Sequence, residues 1–458
     1  MSVVMKFGGT SVADPAAIDR LIGIVRGQQA KDGAPPVVVV SALAGVTDKL
    51  VAVVALAEEG NGEKAAAELR EILDRHVRVA AAVTSDSREA VIGDVKRELD
   101  ELTGLVHALS VLREVSPRSL DAVLAAGEMV SSRIVAAAMA DHGVPGEWVD
   151  ARRVLVTDAE HNSAAPDTIG TTDRMREQIG PIISAGRVPV LGGFIGATST
   201  GVTTTLGRGG SDYSAAIFGA ALDLDEIQIW TDVDGMLTAD PRIVPEPRVV
   251  PHLSFAEASE LAYFGAKVLH PSTILPAVAK NIPVRILNSR RPEGAGTRIT
   301  AAGGPSIAAG AASAGQLTAI ACKRDVTVID ITSTRMLMAH GFLRRLFEVF
   351  ERLKTAVDVV TTSEVSVSVT VDDTRRLEAI VDNLRSFADV SCEPEMAIIC
   401  AVGENLRTDP ALFGRAVTAL DRVPLRLVSQ AASRRNVTFV LRNADVPHAM
   451  MRLHETFF

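Results

Sequence analysis

Cysteine is scarce in this chain. Cys322, Cys392 and Cys400 are an odd number with no C-x-x-C spacing, which excludes a disulfide framework and a zinc ribbon. The histidines are scattered without a metal-ligand pattern. A basic excess is missing too: the formal net charge is −9, which argues against a general nucleic-acid binder. No apolar run reaches the roughly 18 residues of a membrane helix. The opening Met1-Ser2-Val3-Val4-Met5-Lys6 has no basic stretch followed by a long apolar core, so it does not read as a signal peptide. No membrane or nucleic-acid partner is expected, and the expected location is the cytoplasm. Neither a G-x-x-x-x-G-K-[ST] loop nor a G-x-G-x-x-G fingerprint occurs, which excludes two common nucleotide-binding designs.

What is present is length and apolar content. The chain has 458 residues, 47% of them hydrophobic, enough for two to four domains with buried cores. Val3 to Phe7 is a short apolar run that enters Gly8-Gly9-Thr10-Ser11, a strand followed by a tight loop. Ile18, Leu21, Ile22 and Val25 follow at helical spacing. Val37 to Val40 is uninterrupted Val, the pattern of a parallel strand covered on both faces. Residues 48 to 142 read as mostly helical, with Glu128 at a helix start. Val188 to Leu191, Glu226 to Thr231 and Val284 to Leu287 read as further strands of one α/β sandwich.

The stretch Thr203 to Ala216 organises this half. Three threonines run into Gly207-Arg208-Gly209-Gly210, then Ser211 and Asp212 at the mouth of an apolar helix. Glycines let the backbone approach a ligand, and the N–H groups of the turn and helix start attract anions. Arg208 adds a fork suited to a carboxylate or phosphate. Asp212 should repel an anion, so it reads as the organiser of a cation there. The plainer reading is a hairpin followed by a helix capped by Ser211.

Residues 301–315 are low in complexity and read as a linker. Beyond it the pattern changes to short strands and helices that repeat. Val326 to Ile331, Val357 to Val360, Val365 to Val371, Ala397 to Val402, Leu425 to Val428 and Val437 to Leu441 read as strands. Thr361 and Ser429 hold similar places in two similar units, the sign of a duplicated module.

Several motifs, in order, resemble the aspartate kinases. They are Lys6-Phe7-Gly8-Gly9-Thr10-Ser11, Ser41 to Thr47, Thr203 to Asp212, Trp230 to Gly235, Asp240-Pro241-Arg242 and Phe264 to Pro271. The duplicated module resembles the paired ACT domains of that family, and the resemblance is to its monofunctional, lysine-sensitive members. It implies an amino-acid kinase fold at 1–300, an αβα sandwich on a mainly parallel sheet, with an aspartate-binding N-lobe and an ATP-binding C-lobe from about 203. Two βαββαβ ACT modules at 316–394 and 395–458 would follow. The implied reaction is transfer of the ATP γ-phosphoryl group to the side-chain carboxylate of L-aspartate, with Mg²⁺ carried by the ATP phosphates and no metal site made by protein ligands. The product, 4-phospho-L-aspartate, leads towards lysine, threonine and methionine.

By the same resemblance Lys6 meets the phosphates and Asp212 organises it. Arg208 grips the aspartate α-carboxylate, Glu128 faces its ammonium, and Thr47 and Ser211 lie near its carboxylates. Gly8, Gly9 and Ser41 belong to the phosphate loop. Thr231, Asp232, Arg242 and Lys267 resemble nucleotide contacts, while Leu237 stands where many relatives carry Tyr. An effector amino acid, lysine first and threonine second, would bind at Met336, Ala339, Gly341, Phe342, Leu343, Val357, Asp358, Thr362 and Ser363. For Asp358 the plainer reading is a solvated residue at a strand start. Pairing of ACT modules implies a homodimer or homotetramer. The alternatives are another amino-acid kinase of the same fold and a non-catalytic amino-acid sensor.

Overall fold

The computed structural model describes all residues except 266–268, 270, 303–315, 334–339, 405 and 431–432. Lys267, Met336 and Ala339, and nearly all of the linker, therefore lie outside the described residues. The chain forms two compact units. The first comprises Met1–Met236, Val249–Ala258 and the described residues from 269 to 302. The second comprises Leu237–Arg248, residues 259–265 and the described residues beyond 315.

The first unit is built on eleven described strands, named here in chain order. They are β1 (Val3–Phe7), β2 (Val37–Val40), β3 (Gly146–Val149), β4 (Val156–Thr157), β5 (Val188–Gly192), β6 (Ile195–Thr198), β7 (Thr203–Thr205), β8 (Glu226–Thr231), β9 (His252–Ser254), β10 (Val284–Asn288) and β11 (Thr297–Thr300). Eight of them form a sheet in the order β3-β5-β2-β1-β8-β10-β11-β9, parallel except where β10 meets β11. Strands β4, β6 and β7 form a small separate sheet. Strands β1 and β2 are buried along their whole length, as their unbroken apolar runs require.

The long helices are α1 (Pro15–Asp32), α2 (Val46–Glu58), α3 (Gly62–Val83), α4 (Arg88–Leu112) and α5 (Pro117–Asp141). Helix α1 starts where Asp14 accepts a hydrogen bond from the Ala17 N–H and Pro15 takes the first turn. The five helices share one core with Val3, Met5 and Phe7 of β1. Among the described helices, α5 is the one long and apolar enough to cross a membrane, but most of it is buried in this unit, as a core helix should be. Glu128 lies in the middle of α5, not at its start, because the apolar run on both sides continues the helix.

Helix α6 is Ala151–Val154, α7 is Thr168–Ser184 and α8 is Gly210–Ala221. Helix α8 packs close to the sheet: a Cβ on Gly219 would meet Ile227 at 2.9 Å and Val4 at 3.3 Å. Ser211 does not cap this helix. Gly209, in the left-handed region at φ 72°, takes the cap position, and Ser211 falls inside the first turn.

The second unit carries a six-stranded antiparallel sheet. Its strands are β12 (Gln316–Thr332), β13 (Val360–Thr362), β14 (Ser366–Val371), β15 (Asp389–Glu404), β16 (Leu427–Ser429) and β17 (Asn436–Arg442), in the order β13-β14-β12-β15-β17-β16. The order is symmetric about the long central pair β12 and β15, as a duplication requires. One core joins Ile329 and Ile331 to Phe342 and Leu346. A second joins Leu317 and Ile320 to Ile399, Leu412 and Phe439. The module boundaries read from sequence need correcting here. Residues 317–322 belong to the second core, and position 394/395 falls inside β15, because one continuous strand serves both modules. The strand expected at Val357 to Val360 begins at Val360, and the one at Leu425 to Val428 is Leu427–Ser429.

Phe218 is fully buried on α8. Phe218→Ala should lower the stability of the first unit by about 3–5 kcal/mol. Trp148 and Trp230 both lie in that unit, so denaturant unfolding followed by tryptophan fluorescence measures it. A change below about 1 kcal/mol would show that α8 does not hold the sheet.

Candidate functional site

The carboxyl ends of β1, β2 and β5 and the start of α8 surround a cavity of about 640 Å³. Ligands bind at such ends in open α/β sheets. Lys6, Gly9, Ser41, Thr47, Glu128, Arg208, Ser211 and Asp212 all line it. These residues come from four separate stretches of sequence and meet at one place.

Lys6 and Asp212 are the centre. The Lys6 ammonium lies 2.6 Å from the Asp212 carboxylate, and both side chains are nearly buried. Asp212 thus has a cation of the chain itself as its partner. The Gly8 N–H donates to the Trp230 carbonyl at 3.0 Å, which ties the loop after β1 to the end of β8. Lys6 Nζ lies 3.7 Å from where a Cβ on Gly8 would stand, so the ammonium sits at the glycine loop.

Glu128 supplies the second feature. Its carboxylate is buried; Oε1 accepts from the Ala42 N–H at 3.1 Å, and Oε2 is buried with no hydrogen-bond partner among the described residues. Burial pushes its carboxyl up to about 7, against the hydrogen bonds and the Lys6 charge that hold it down. Helix α5 can bring this carboxylate to the sheet because β5 ends in Gly192. A Cβ there would lie 3.0 Å from the Glu128 carbonyl. Gly193 plays the same part for α8, since its Cβ would lie 2.8 Å from Ser211 Cα. Arg208 is exposed at the cavity and makes no side-chain hydrogen bond or ion pair among the described residues.

The chemistry of this set is definite. A buried carboxylate with one open oxygen takes a cation. An open guanidinium takes a carboxylate. A Lys held beside glycine N–H groups takes phosphate. Together they fit an α-amino acid whose far end lies next to an anion.

The other expected contacts are placed differently. Thr231 ends β8 and Asp232 follows it, exposed, and neither lines this cavity. Arg242 belongs to the second unit, where it is 77% exposed and pairs with Asp240 two residues earlier. In that unit Asp358 is not a solvated strand-start residue: its side chain is 2% exposed. Gly341 caps α9, a helix spanning Phe342–Arg352, with φ 86°. Phe342 is buried; Leu343, Thr362 and Ser363 are exposed, and Val357 is half-buried. Sequence reading missed Asn162, Phe194 and Thr205, which also line the cavity. Thr205 lay inside the organising stretch. Phe194 follows the Gly192-Gly193 pair. Asn162 carried no local signal.

Comparison with known proteins agrees with this geometry. The amino acid kinase family profile matches residues 1–288, and an ACT domain profile matches 399–457. The chain is 34% identical to lysine-sensitive aspartokinase 3 of Escherichia coli, over 100% of this chain and 99% of that protein. It is 36% identical to the chloroplastic aspartokinase 3 of Arabidopsis thaliana, over 100% of this chain and 82% of that protein. Among solved structures, E. coli aspartokinase III with aspartate and ADP in the R-state superposes with a TM-score of 0.84 at 33% identity, covering 100% of both chains. The same enzyme with lysine and aspartate in the T-state gives 0.81, covering 100% and 99%.

The buried Glu128 predicts a stability signature. Its folded carboxyl titrates near 7, above the unfolded value, so the folded state holds the extra proton between the two. Stability contributed by this group therefore falls as pH rises through that window. Glu128→Gln should gain stability over the parent progressively from about pH 4.5 to about 7 and hold the gain above it. Tryptophan-monitored denaturation across pH checks this; a gain independent of pH overturns it.

Proposed function

The chain belongs to the aspartokinases of the amino acid kinase family, and we propose that the cavity around Lys6 holds L-aspartate against the γ-phosphoryl group of ATP. The observation that carries this assignment of roles is the pairing, in one cavity, of the open Glu128 oxygen with the open Arg208 guanidinium. Glu128 takes the α-ammonium and Arg208 the α-carboxylate. Thr47 and Ser211 give hydroxyls to the carboxylates. The side-chain carboxylate then points to Lys6.

That carboxylate is already a nucleophile, so no general base is needed. It attacks the γ-phosphorus in line, the bond to the bridging oxygen breaks, and ADP leaves with that electron pair. The protein's work is positioning and neutralisation of charge. Lys6 offsets charge on the transferring group, and Asp212 fixes where its ammonium points. Gly9 and Ser41 shape the loop against the phosphates, and Gly8 anchors it. Among the described residues no group of three or more His, Cys, Asp or Glu side chains is arranged to hold a metal. Mg²⁺ carried by the ATP phosphates would supply shielding of the phosphate charge. Thr231 and Asp232, and Arg242 and Lys267, are proposed for the nucleotide. The enzyme is expected to act in the cytoplasm as a homodimer or homotetramer.

The second unit is proposed as the effector-binding part, with lysine as the effector. Asp358 is the recognition residue. Its Oδ1 accepts from Lys323 Nζ at 2.7 Å and from the Tyr263 hydroxyl at 2.9 Å. Lys323 also pairs with Asp372 at 2.7 Å. The Asp358 Oδ2 is buried with no partner among the described residues. Burial, and then the Asp358 charge, push the Tyr263 phenol well above its ordinary range, so it stays a donor. An effector ammonium reaching Oδ2 would share this carboxylate with Lys323 and Tyr263. The E. coli relative solved with lysine supports lysine as the first choice.

Trapping of acyl phosphate with hydroxylamine tests the reaction. With ATP and Mg²⁺, L-aspartate should give hydroxamate and L-glutamate should not; the reverse preference overturns the assignment. Added lysine should suppress the signal. Asp358→Ala should raise the lysine concentration for half-inhibition by about tenfold or more, the loss expected for a charge-assisted contact; unchanged inhibition sinks the effector site.

A further inference from the structure

Asp121 lies on α5, two turns before Glu128, and its side chain is completely buried. Four hydrogen bonds converge on its carboxylate. The Thr205 hydroxyl donates to Oδ1 at 2.5 Å, and the Asn162 N–H is shared between Oδ1 and Oδ2 at 3.1 and 3.2 Å. His161 Nδ1 lies 2.6 Å from Oδ2 and hydrogen-bonds to it. A buried charge is tolerated only when it is satisfied in this way.

The donors come from two segments that face the substrate cavity. Thr205 ends β7 and leads through Leu206 and Gly207 to Arg208. Asn162 sits in the loop after β4, in the left-handed region at φ 69°. The two segments are locked together. The Ala164 N–H donates to the Thr205 carbonyl at 2.9 Å. A Cβ on Gly207 would stand 2.9 Å from the Asn162 carbonyl oxygen. Asn162 and Thr205 both line the cavity, while Asp121 stands behind them.

We propose that Asp121 is a positioning residue for the amino-acid substrate: it sets the Arg208 loop at a fixed distance from Glu128. The physical reason is that the two ends of the substrate are read by two different elements. Glu128 belongs to α5, and Arg208 belongs to the loop after β7. Asp121 is the α5 carboxylate that accepts hydrogen bonds from the β7 end and from the loop packed on it. His161 adds a contact from the outer side, where it borders a second, smaller groove with Thr157 and Thr198. The inference rests on Arg208 as the α-carboxylate contact and deepens that reading.

The test is full steady-state kinetics on the whole chain, varying L-aspartate and ATP separately. Asp121→Asn keeps the shape but replaces one acceptor oxygen by an NH₂ that faces donors. Thr205→Val removes one donor at constant volume and serves where Asp121→Asn fails to fold. Arg208→Lys is measured alongside. The expected result is a KM for aspartate raised about tenfold in Asp121→Asn and severalfold in Thr205→Val, with the KM for ATP within about twofold, the pattern of lost substrate binding. His161→Gln, which keeps a side-chain donor, should sit nearer the parent than His161→Leu. A lowered melting temperature with unchanged KM for aspartate, or equal rises in both KM values, would overturn the positioning role. If Arg208→Lys raises the KM for aspartate and the Asp121 and Thr205 variants do not, the positioning role fails while the reading of Arg208 stands. If Arg208→Lys itself leaves that KM unchanged, the Arg208 reading fails and this inference with it.

Discussion

The ion pair of Lys6 with Asp212 is the contact on which the rest of the catalytic unit depends. Two nearly buried charges at 2.6 Å must offset their own desolvation, and they do so only in a fixed geometry. That geometry needs β1 in the middle of the sheet, so that Lys6 emerges at its carboxyl end. It needs α8 to begin beside it, which Gly209 allows by turning the chain left-handed immediately before the helix. It also needs the loop after β1 to be held down, which the Gly8 bond to Trp230 does. A charge pair of this kind adds little to stability. It gives a cation whose position is fixed in advance, which in the role proposed for Lys6 is the condition for electrostatic stabilisation of phosphoryl transfer.

Close approach is the second constraint, and it explains why glycines punctuate this half. Gly192 lets Glu128 reach the sheet, and Gly193 lets Ser211 reach it. The result is a carboxylate held in a place that favours its protonated form. Such a group works against the folded state near neutral pH, and a bound cation would reverse that balance, in keeping with the ammonium contact proposed for it. Asp358 is likewise buried with one oxygen that has no partner among the described residues.

Much of this was legible in the sequence. The all-Val strand β2, the Gly8-Gly9 loop and the Thr203–Asp212 stretch each announce their structure through local chemistry. Lys6, Thr47, Glu128, Arg208, Ser211 and Asp212 converge on one cavity as the motifs implied. What was not legible depends on long-range packing. Glu128 was read at a helix start because Gly127 looks like a boundary. In the structure Gly127 is a contact, its Cβ position only 2.9 Å from Ala42. Asp121 looks like any helix-surface acid, and only the fold brings Thr205, His161 and Asn162 to it. The module boundary failed for another reason: an edge read from alternating strands cannot reveal that one strand runs through two cores.

That shared strand bears on how regulation can work. Strands β12 and β15 pair almost from end to end, with irregularities near Lys323 and Val326 where one core gives way to the other. The two modules are thus joined by continuous strand backbone. Lys323 stands at that junction, bound to Asp358 and Asp372, with its ammonium 5.2 Å from the centre of the Tyr263 ring. Tyr263 ends the helix that leads to Phe264-Gly265, and Gly265 packs so closely on Cys322 that a Cβ would lie 2.3 Å from its carbonyl oxygen. The segment Leu237–Arg248, with Arg242, packs in the same unit through Ala239 and Val244. Residues 259–265 and the segment Leu237–Arg248 thus belong to the unit that also holds Asp358. Differential affinity of a ligand for two arrangements of such a unit is what any allosteric effect requires.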